Sequence, residues 1–282
     1  MIERGSRQSL RLLAVLAHPD DESLGVGGTL AKYAAEGIEV FLLTATRGDA
    51  GRFRGHRPGS PEHPGAEALA AIRETELRAA AAALGVRDVT LLDYRDQVLD
   101  RANPREVIAG IAAHIRRVRP DVVVTFGPDG AYGHPDHVAI SQSTTAAVVG
   151  AADPVFAHDG VVAAGRPHTV SKLYYLAWPA SVWATYQAAV QRLVSVVDGV
   201  ERQATPWPDW AITTAIDTRN VTDRVWRAVS CHESQIAAYA TLLNLPPDQQ
   251  RALWEWQYFY RAFSLVNGGR GREADLFEGC DR

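Results

Sequence analysis

Two short runs concentrate the titratable chemistry of this chain: His18-Pro19-Asp20-Asp21-Glu22 and His134-Pro135-Asp136-His137. Neutral imidazole and carboxylate are the ligands zinc accepts at about 2.0–2.2 Å, and a catalytic zinc takes three protein ligands and keeps one position open. His18, one of Asp20 and Asp21, and His137 supply that count. Spacing alone leaves the two aspartates open. If a helix begins after Pro19, Asp21 is the i+3 neighbour of His18 on one face. Asp20 is then free to serve as a general base. A single H-P-D is an ordinary turn in which Pro presets φ and Asp caps the following helix. Two copies, one with a doubled Asp and a Glu, favour a site. Glu22 fits either a residue that orients a ligand or a favourable first-turn acid.

The elements that must position these runs follow a βαβ rhythm. Apolar runs predict strands at Leu12–Ala17, Val40–Thr46, Val89–Tyr94, Val122–Phe126 and Leu173–Trp178. Helical patterns predict helices over Leu24–Glu36, Glu67–Leu84, Pro104 to before Pro120, and Asp136–Val149. Each H-P-D run follows a buried strand, the first and the fourth. In a doubly wound sheet those two strands adjoin where the strand order reverses, and ligands bind beyond their carboxyl ends. The two runs then face each other although more than a hundred residues separate them. Later elements are looser: strands at Ala211–Asp217 and Phe259–Val266, helices over Val221–Leu243 and Pro247–Trp256, and a loop from Val149 to Lys172. Thr46 to Gly65 is a long loop, unusual in a compact α/β unit. Its Arg47, Arg52, Arg54 and Arg57 suit either a solvated excursion or a substrate loop.

Composition removes several alternatives. The 282 residues carry a net charge of −4, which offers no footprint for nucleic acid or an acidic membrane. Lysine occurs only at Lys32 and Lys172, and neither sits in a P-loop. Two cysteines are too few for a disulfide framework, so a cytoplasmic location is expected. No apolar run reaches the length of a membrane span. Arg4, Arg7 and Arg11 before Leu12–Ala17 mimic a signal peptide, but the apolar run is short and leads directly into His18. Gly25-Val26-Gly27-Gly28 is an incomplete dinucleotide fingerprint, and no G-x-S-x-G elbow is present. Cys231 and His232 are adjacent, awkward for a thiolate–imidazole pair, so Cys231 reads as a small buried apolar residue. Trp207-Pro208-Asp209-Trp210 reads as packing of a late loop, with a sugar platform as the rarer alternative.

Ala17-His18-Pro19-Asp20-Asp21-Glu22 and Gly133-His134-Pro135-Asp136-His137 resemble the motifs of the PIG-L/LmbE-like zinc-dependent de-N-acetylases. The resemblance covers about Leu10 to Ser141. Cys231-His232-Glu233-Ser234-Gln235 is similar, less specifically, to a segment in the last third of such proteins. The βαβ rhythm predicts a Rossmann-like three-layer α/β fold with a mostly parallel sheet; both motifs fall in residues 1–150, so residues 151–282 read as a C-terminal α/β extension shaping the substrate cleft, in one catalytic domain spanning residues 1–282. The resemblance covers the chemistry of the first part. It implies His18, Asp21 and His137 as ligands of Zn2+ and Asp20 as general base, while Fe2+ tolerates the same two-His, one-carboxylate set. It further implies His134 beside the metal, Asp136 orienting it, Tyr132 at the oxyanion, and Arg73 and Asp96 at the sugar. Gln97-Val98-Leu99 departs from the mycothiol-type pattern, which leaves the aglycone open. The expected substrate is a small amino-sugar conjugate bearing an N-acetyl group, with homo-oligomerisation left open. The rivals are an amidase of thiol-conjugated cysteinyl amino sugars, a deacylase of a glycosylated natural product, a noncatalytic sugar- or metal-binding module, and a nucleotide-dependent enzyme.

Overall fold

The first strand, β1 (Arg11–Leu16), is the axis of the molecule, because its side chains from Leu12 onward are buried. Strands covered on both faces read as continuous apolar runs rather than alternating ones. The computed structural model describes residues 9–158, 161–162, 164–183, 187, 194–197, 199–269 and 271–280. On one side β1 pairs in parallel with β2 (Glu39–Thr46), which pairs in parallel with β3 (Asp88–Tyr94). On the other side it pairs in parallel with β4 (Val122–Phe126), which pairs in parallel with β5 (Lys172–Leu176). The strand order therefore reverses between β1 and β4, and both H-P-D runs leave the sheet at the carboxyl ends flanking that reversal.

The sheet continues past β5. Strand β7 (Trp256–Ser264) pairs antiparallel with β5, and β6 (Thr214–Asp217) pairs antiparallel with β7. The order is thus β6-β7-β5-β4-β1-β2-β3. The C-terminal extension lengthens the same sheet. Right-handed crossovers place helices in two groups. Helices α2 (Gly27–Ala35), α3 (Ala66–Leu84) and α6 (Thr222–Cys231) pack together, and α4 (Pro104–Val118) packs on α5 (Pro135–Ala152). The main apolar cluster fills both spaces between these helices and the sheet.

Four expectations change. The helix read over Leu24–Glu36 is two pieces, α1 (Asp21–Leu24) and α2, broken at Gly25-Val26, where Val26 leaves helical geometry. The helix read over Val221–Leu243 stops at Cys231, because His232 takes a non-helical conformation. The helix read over Pro247–Trp256 closes at Ala252, and Trp256 instead pairs with Asp217 in the sheet. The expected loop from Val149 to Lys172 starts later, since α5 runs to Ala152. Among the described residues no helix is long and apolar enough to cross a membrane.

Candidate metal centre

The chain leaves β1 into His18-Pro19 and turns sharply at Asp20, which holds φ = 114°, a conformation that non-glycine residues avoid. The turn starts α1 at Asp21. Backbone N–H groups of His18 and Ala17 donate to Asp21 Oδ2 at 2.8 and 3.2 Å, which fixes that carboxylate under the turn. The second run is placed by a comparable device. Ala131 sits at φ = 64° in the turn Gly130–Gly133, and α5 then begins at Pro135. His137 lies one turn into α5, its ring stacked on Phe126 of β4 at 4.0 Å and 9°.

These two turns bring three candidate ligand groups together. His18 Nδ1 is 3.1 Å from His137 Nε2, Asp21 Oδ1 is 3.4 Å from His137 Nε2, and Asp21 Oδ2 is 3.7 Å from His18 Nδ1. Ligand atoms bound tetrahedrally at about 2.0–2.1 Å lie about 3.3 Å apart. The three spacings bracket that value. On the far side of the His18 ring, Nε2 lies 3.1 Å from Asp136 Oδ2 and 3.0 Å from Asp96 Oδ1. Ionised carboxylates only accept, so Nε2 carries a proton, and Nδ1, which faces Asp21 and His137, is the nitrogen that can ligate once its own proton is released. This is the carboxylate–histidine arrangement that orients metal-ligating imidazoles.

The electrostatics agree with a site that needs a cation. Burial alone would lower the pKa of His18, but the hydrogen bonds and charges of Asp136, Asp96 and Asp21 outweigh it and push it up to about 10. Asp21 is raised to about 7, chiefly by burial. His137 is held well below its usual value by burial and by its histidine neighbours, so it is a neutral imidazole able to coordinate. The donor set is therefore chemically fit for a divalent ion.

His134 stands beside this group, its ring 4.8 Å from His18 and 4.9 Å from His137. Its Nδ1 accepts the Asp136 backbone N–H at 3.2 Å, so in the neutral ring Nε2 is a donor. One nitrogen from each of His18, His134 and His137 forms a second grouping within metal reach. Tyr132 meets His137 edge-on at 5.1 Å. Burial and the charges of Asp21, Asp20 and Asp96 raise its pKa, so the phenol keeps its proton.

Asp136 sits differently from the sequence expectation, and Arg73 and Asp96 are bonded within the centre. The carboxylate of Asp136 is aimed at His18, not at His134, and accepts the backbone N–H groups of Gln97 and Leu99 at 2.7 and 3.0 Å. The departure at Gln97-Val98-Leu99 is thus carried by backbone amides at this contact. Buried Arg73 donates to Asp20 Oδ2 at 3.0 Å, to the Pro19 carbonyl and to the Gly48 carbonyl at 3.1 Å. It fastens the Asp20 turn to the long loop. Gly48 is required there, since a Cβ would stand 2.1 Å from an Arg73 guanidinium nitrogen at φ = 64°. Asp96 contacts His18 and accepts from the Ala50 amide at 3.2 Å. Of the loop arginines, Arg47 pairs with Glu74 at 2.9 Å and with Asp93, and is spent on structure.

Sequence reading did not place the C-terminal contribution. His232 Nε2 donates to Glu22 Oε1 at 2.7 Å, with both side chains fully buried. Ser234 donates its backbone N–H and Oγ to Glu76, both at 2.7 Å. Gln235 Nε2 donates to the Arg52 carbonyl at 2.8 Å, and Arg54 N–H donates to the Ser234 carbonyl at 2.6 Å. The only signal was the compact Cys231–Gln235 run itself. Trp207 packs on Tyr260 and donates Nε1 to Asp129 at 3.2 Å, the packing role expected of that stretch, whereas Trp210 is exposed.

Residues 13–148 match the family model described as PIG-L, GlcNAc-PI de-N-acetylase. The chain is 37% identical to the 1D-myo-inositol 2-acetamido-2-deoxy-alpha-D-glucopyranoside deacetylase of Rhodococcus opacus (strain B4), covering 95% of this chain and 98% of that relative. Its fold is similar to N,N'-diacetylchitobiose deacetylase from Pyrococcus horikoshii, with TM-score 0.62, 20% identity and coverage of 90% and 84%. It is equally similar to GalB, the 4-carboxy-2-hydroxymuconate hydratase of Pseudomonas putida KT2440, with TM-score 0.64, 19% identity and coverage of 92% and 99%. The same fold thus serves a deacetylase and a hydratase, and the site rather than the fold must decide the reaction.

Proposed function

From its membership of the PIG-L family, to which this chain belongs, we propose that it is a zinc-dependent deacetylase that hydrolyses the N-acetyl amide of an N-acetylglucosamine conjugate. The observation that carries this reading is the spacing of 3.1–3.7 Å among His18 Nδ1, His137 Nε2 and the Asp21 carboxylate, with Asp20 next in the chain and outside that set. His18, His137 and Asp21 would hold the ion, and Fe2+ would accept the same donors. When bound, the ion supplies Lewis acidity, which polarises an amide carbonyl and acidifies water.

The chain's own residues do the rest. Asp20 takes the proton of the attacking water as general base. Arg73 and the α1 turn hold its carboxylate in place for that transfer. The His134 Nε2–H and the Tyr132 hydroxyl donate to the oxyanion that develops on the carbonyl oxygen, where fixed donors act most strongly. Asp20 returns its proton to the amine nitrogen as the C–N bond breaks, and acetate and the free amino sugar leave. Asp96 and Arg73 line the approach of the sugar while holding His18 and Asp20. Residues 1–282 act as one catalytic domain, supported by the C-terminal strands that extend the same sheet. A cytoplasmic location is supported by the two free cysteines.

Metal analysis paired with acetate release tests the proposal. The substrates are 1D-myo-inositol 2-acetamido-2-deoxy-alpha-D-glucopyranoside and a panel of other N-acetylglucosamine conjugates, with a cysteinyl amino-sugar amide as the rival. About one zinc per chain and metal-dependent acetate release is the expected result. Cleavage of the cysteinyl amide alone, or bound zinc with no amide cleaved, overturns it.

A further inference from the structure

The general base is carried by a strained turn, and something must hold that turn. Asp20 sits at φ = 114°. A non-glycine residue keeps such a conformation only where its surroundings over-determine it. One restraint is the Glu22 carboxylate, whose Oε2 accepts the Asp20 backbone N–H at 2.9 Å. Glu22 is fully buried, and its other oxygen, Oε1, accepts from Ser23 Oγ at 2.6 Å and from His232 Nε2 at 2.7 Å. His232 lies more than 200 residues away, where α6 ends. A buried carboxylate without a partner is costly and tends to turn toward whatever donor remains. Bonded on both oxygens, the Glu22 side chain has one orientation.

We propose that His232 is a positioning residue for the general base: it donates to Glu22, which holds the Asp20 amide and so sets where the Asp20 carboxylate points. The proposal rests on the reading of Asp20 as general base. The polar contacts of His232 Nε2 are Glu22 and Ser23, neither of them among the candidate ligands, and it acts through Glu22. The segment that follows strengthens the assignment. Ser234 binds Glu76, one turn along α3 from Arg73, and Arg73 itself donates to Asp20. The His232–Gln235 segment therefore fastens both elements that hold Asp20, the α1 turn and the Arg73 helix. This gives the late Cys231–Gln235 run a physical role in the reaction.

Two substitutions of similar polarity separate the bond from mere packing. His232→Gln places an amide nitrogen where Nε2 stood and keeps the donor to Glu22. His232→Asn is too short to reach. With the acetylated glucosaminyl-inositol as substrate, His232→Asn is expected to lower kcat by about 10–100-fold, the range typical of residues supporting a catalytic site. KM, bound metal per chain and Tm above the assay temperature should be preserved, and His232→Gln should recover most of the rate. In an Asp20→Asn background, His232→Asn should cost less than about twofold more, because residues acting through one group are non-additive. Equal rates for the Asn and Gln variants, loss of metal in His232→Asn, or full additivity with Asp20→Asn overturns the proposal. The Asp20→Asn enzyme measured alone separates the two readings. Wild-type turnover there removes the general base and the positioning role together, whereas a dead Asp20→Asn beside an unimpaired His232→Asn removes only the positioning role.

Discussion

Two buried charged clusters lie at opposite ends of the parallel strands, and they differ in whether the protein completes them. At the amino end of β5, Lys172 is fully buried and donates to Glu273 Oε1 at 2.6 Å and to the Glu278 carbonyl at 2.8 Å. Glu273 also accepts from Arg261, Asn267, Tyr174 and Thr214, all between 2.7 and 2.9 Å. Burial alone would raise the pKa of Glu273, but these donors hold it down to about 2. The cluster is closed, with positive charge and donors for both oxygens. At the carboxyl end of β1 and β4, Asp20, Asp21, Asp96 and Asp136 crowd around three histidines, and Arg73 is the arginine bonded to one of them. There the protein draws a proton onto His18 to balance its carboxylates. A closed polar cluster fastens structure, here tying residues 261–278 to the sheet. A cluster short of positive charge and rich in metal donors is built to receive a cation.

Substitutions in the two clusters should therefore fail in different ways. The largest effect is expected from Asp20→Asn, which should lower kcat by about 10²–10⁴-fold, the usual contribution of a general base. Metal content should stay at the wild-type value. Substantial loss of metal would place Asp20 among the ligands and merge the two roles. Next comes Glu273→Ala, which strands the Lys172 ammonium and should cost about 3–5 kcal/mol of stability. Thermal unfolding should reveal this as a lower Tm, while kcat per folded molecule stays unchanged. A large fall in kcat would mean that the two ends are coupled. The smallest effect is a pH dependence. The folded pKa of Glu273 lies below its ordinary value of 4.5, so its contribution is present above pH 4.5 and is lost as pH falls through about 2. That contribution is on the order of 3 kcal/mol. Tm followed over this window should fall more steeply for wild type than for Glu273→Gln, and parallel curves would show that Glu273 is not the group responsible.

Much of the catalytic half was legible because local signals agreed there. The run Val122–Phe126 is apolar except for Thr125 and is bounded by Asp121 and Gly127, and it became the strand with those bounds. Pro104 marked the first turn of α4, where a missing N–H costs nothing. The C-terminal part was less legible because long-range pairing overrode local preference. Trp256 continued a helical pattern, yet pairing with Asp217 drew it into the sheet. The helix read through Val221–Leu243 ends where His232 turns inward to Glu22, a partner no window of neighbouring residues contains.

The amino-acid sequence by itself determined the chemistry available: histidines and aspartates in two H-P-D runs, each behind an apolar strand. Residue type and the period of apolar residues are local properties. Tertiary structure decided which partner each of these side chains meets. Asp21 turns toward His137 because backbone amides pin its other oxygen, and Asp20 turns toward Arg73 because its own backbone is held at positive φ. Asp136 serves His18 rather than the histidine beside it, since its carboxylate is fixed by amides from the Gln97–Leu99 segment. Each of these depends on atoms brought together around the sheet reversal between β1 and β4. Hydrogen-bond direction is set by distance in space, and separation along the chain carries no record of it.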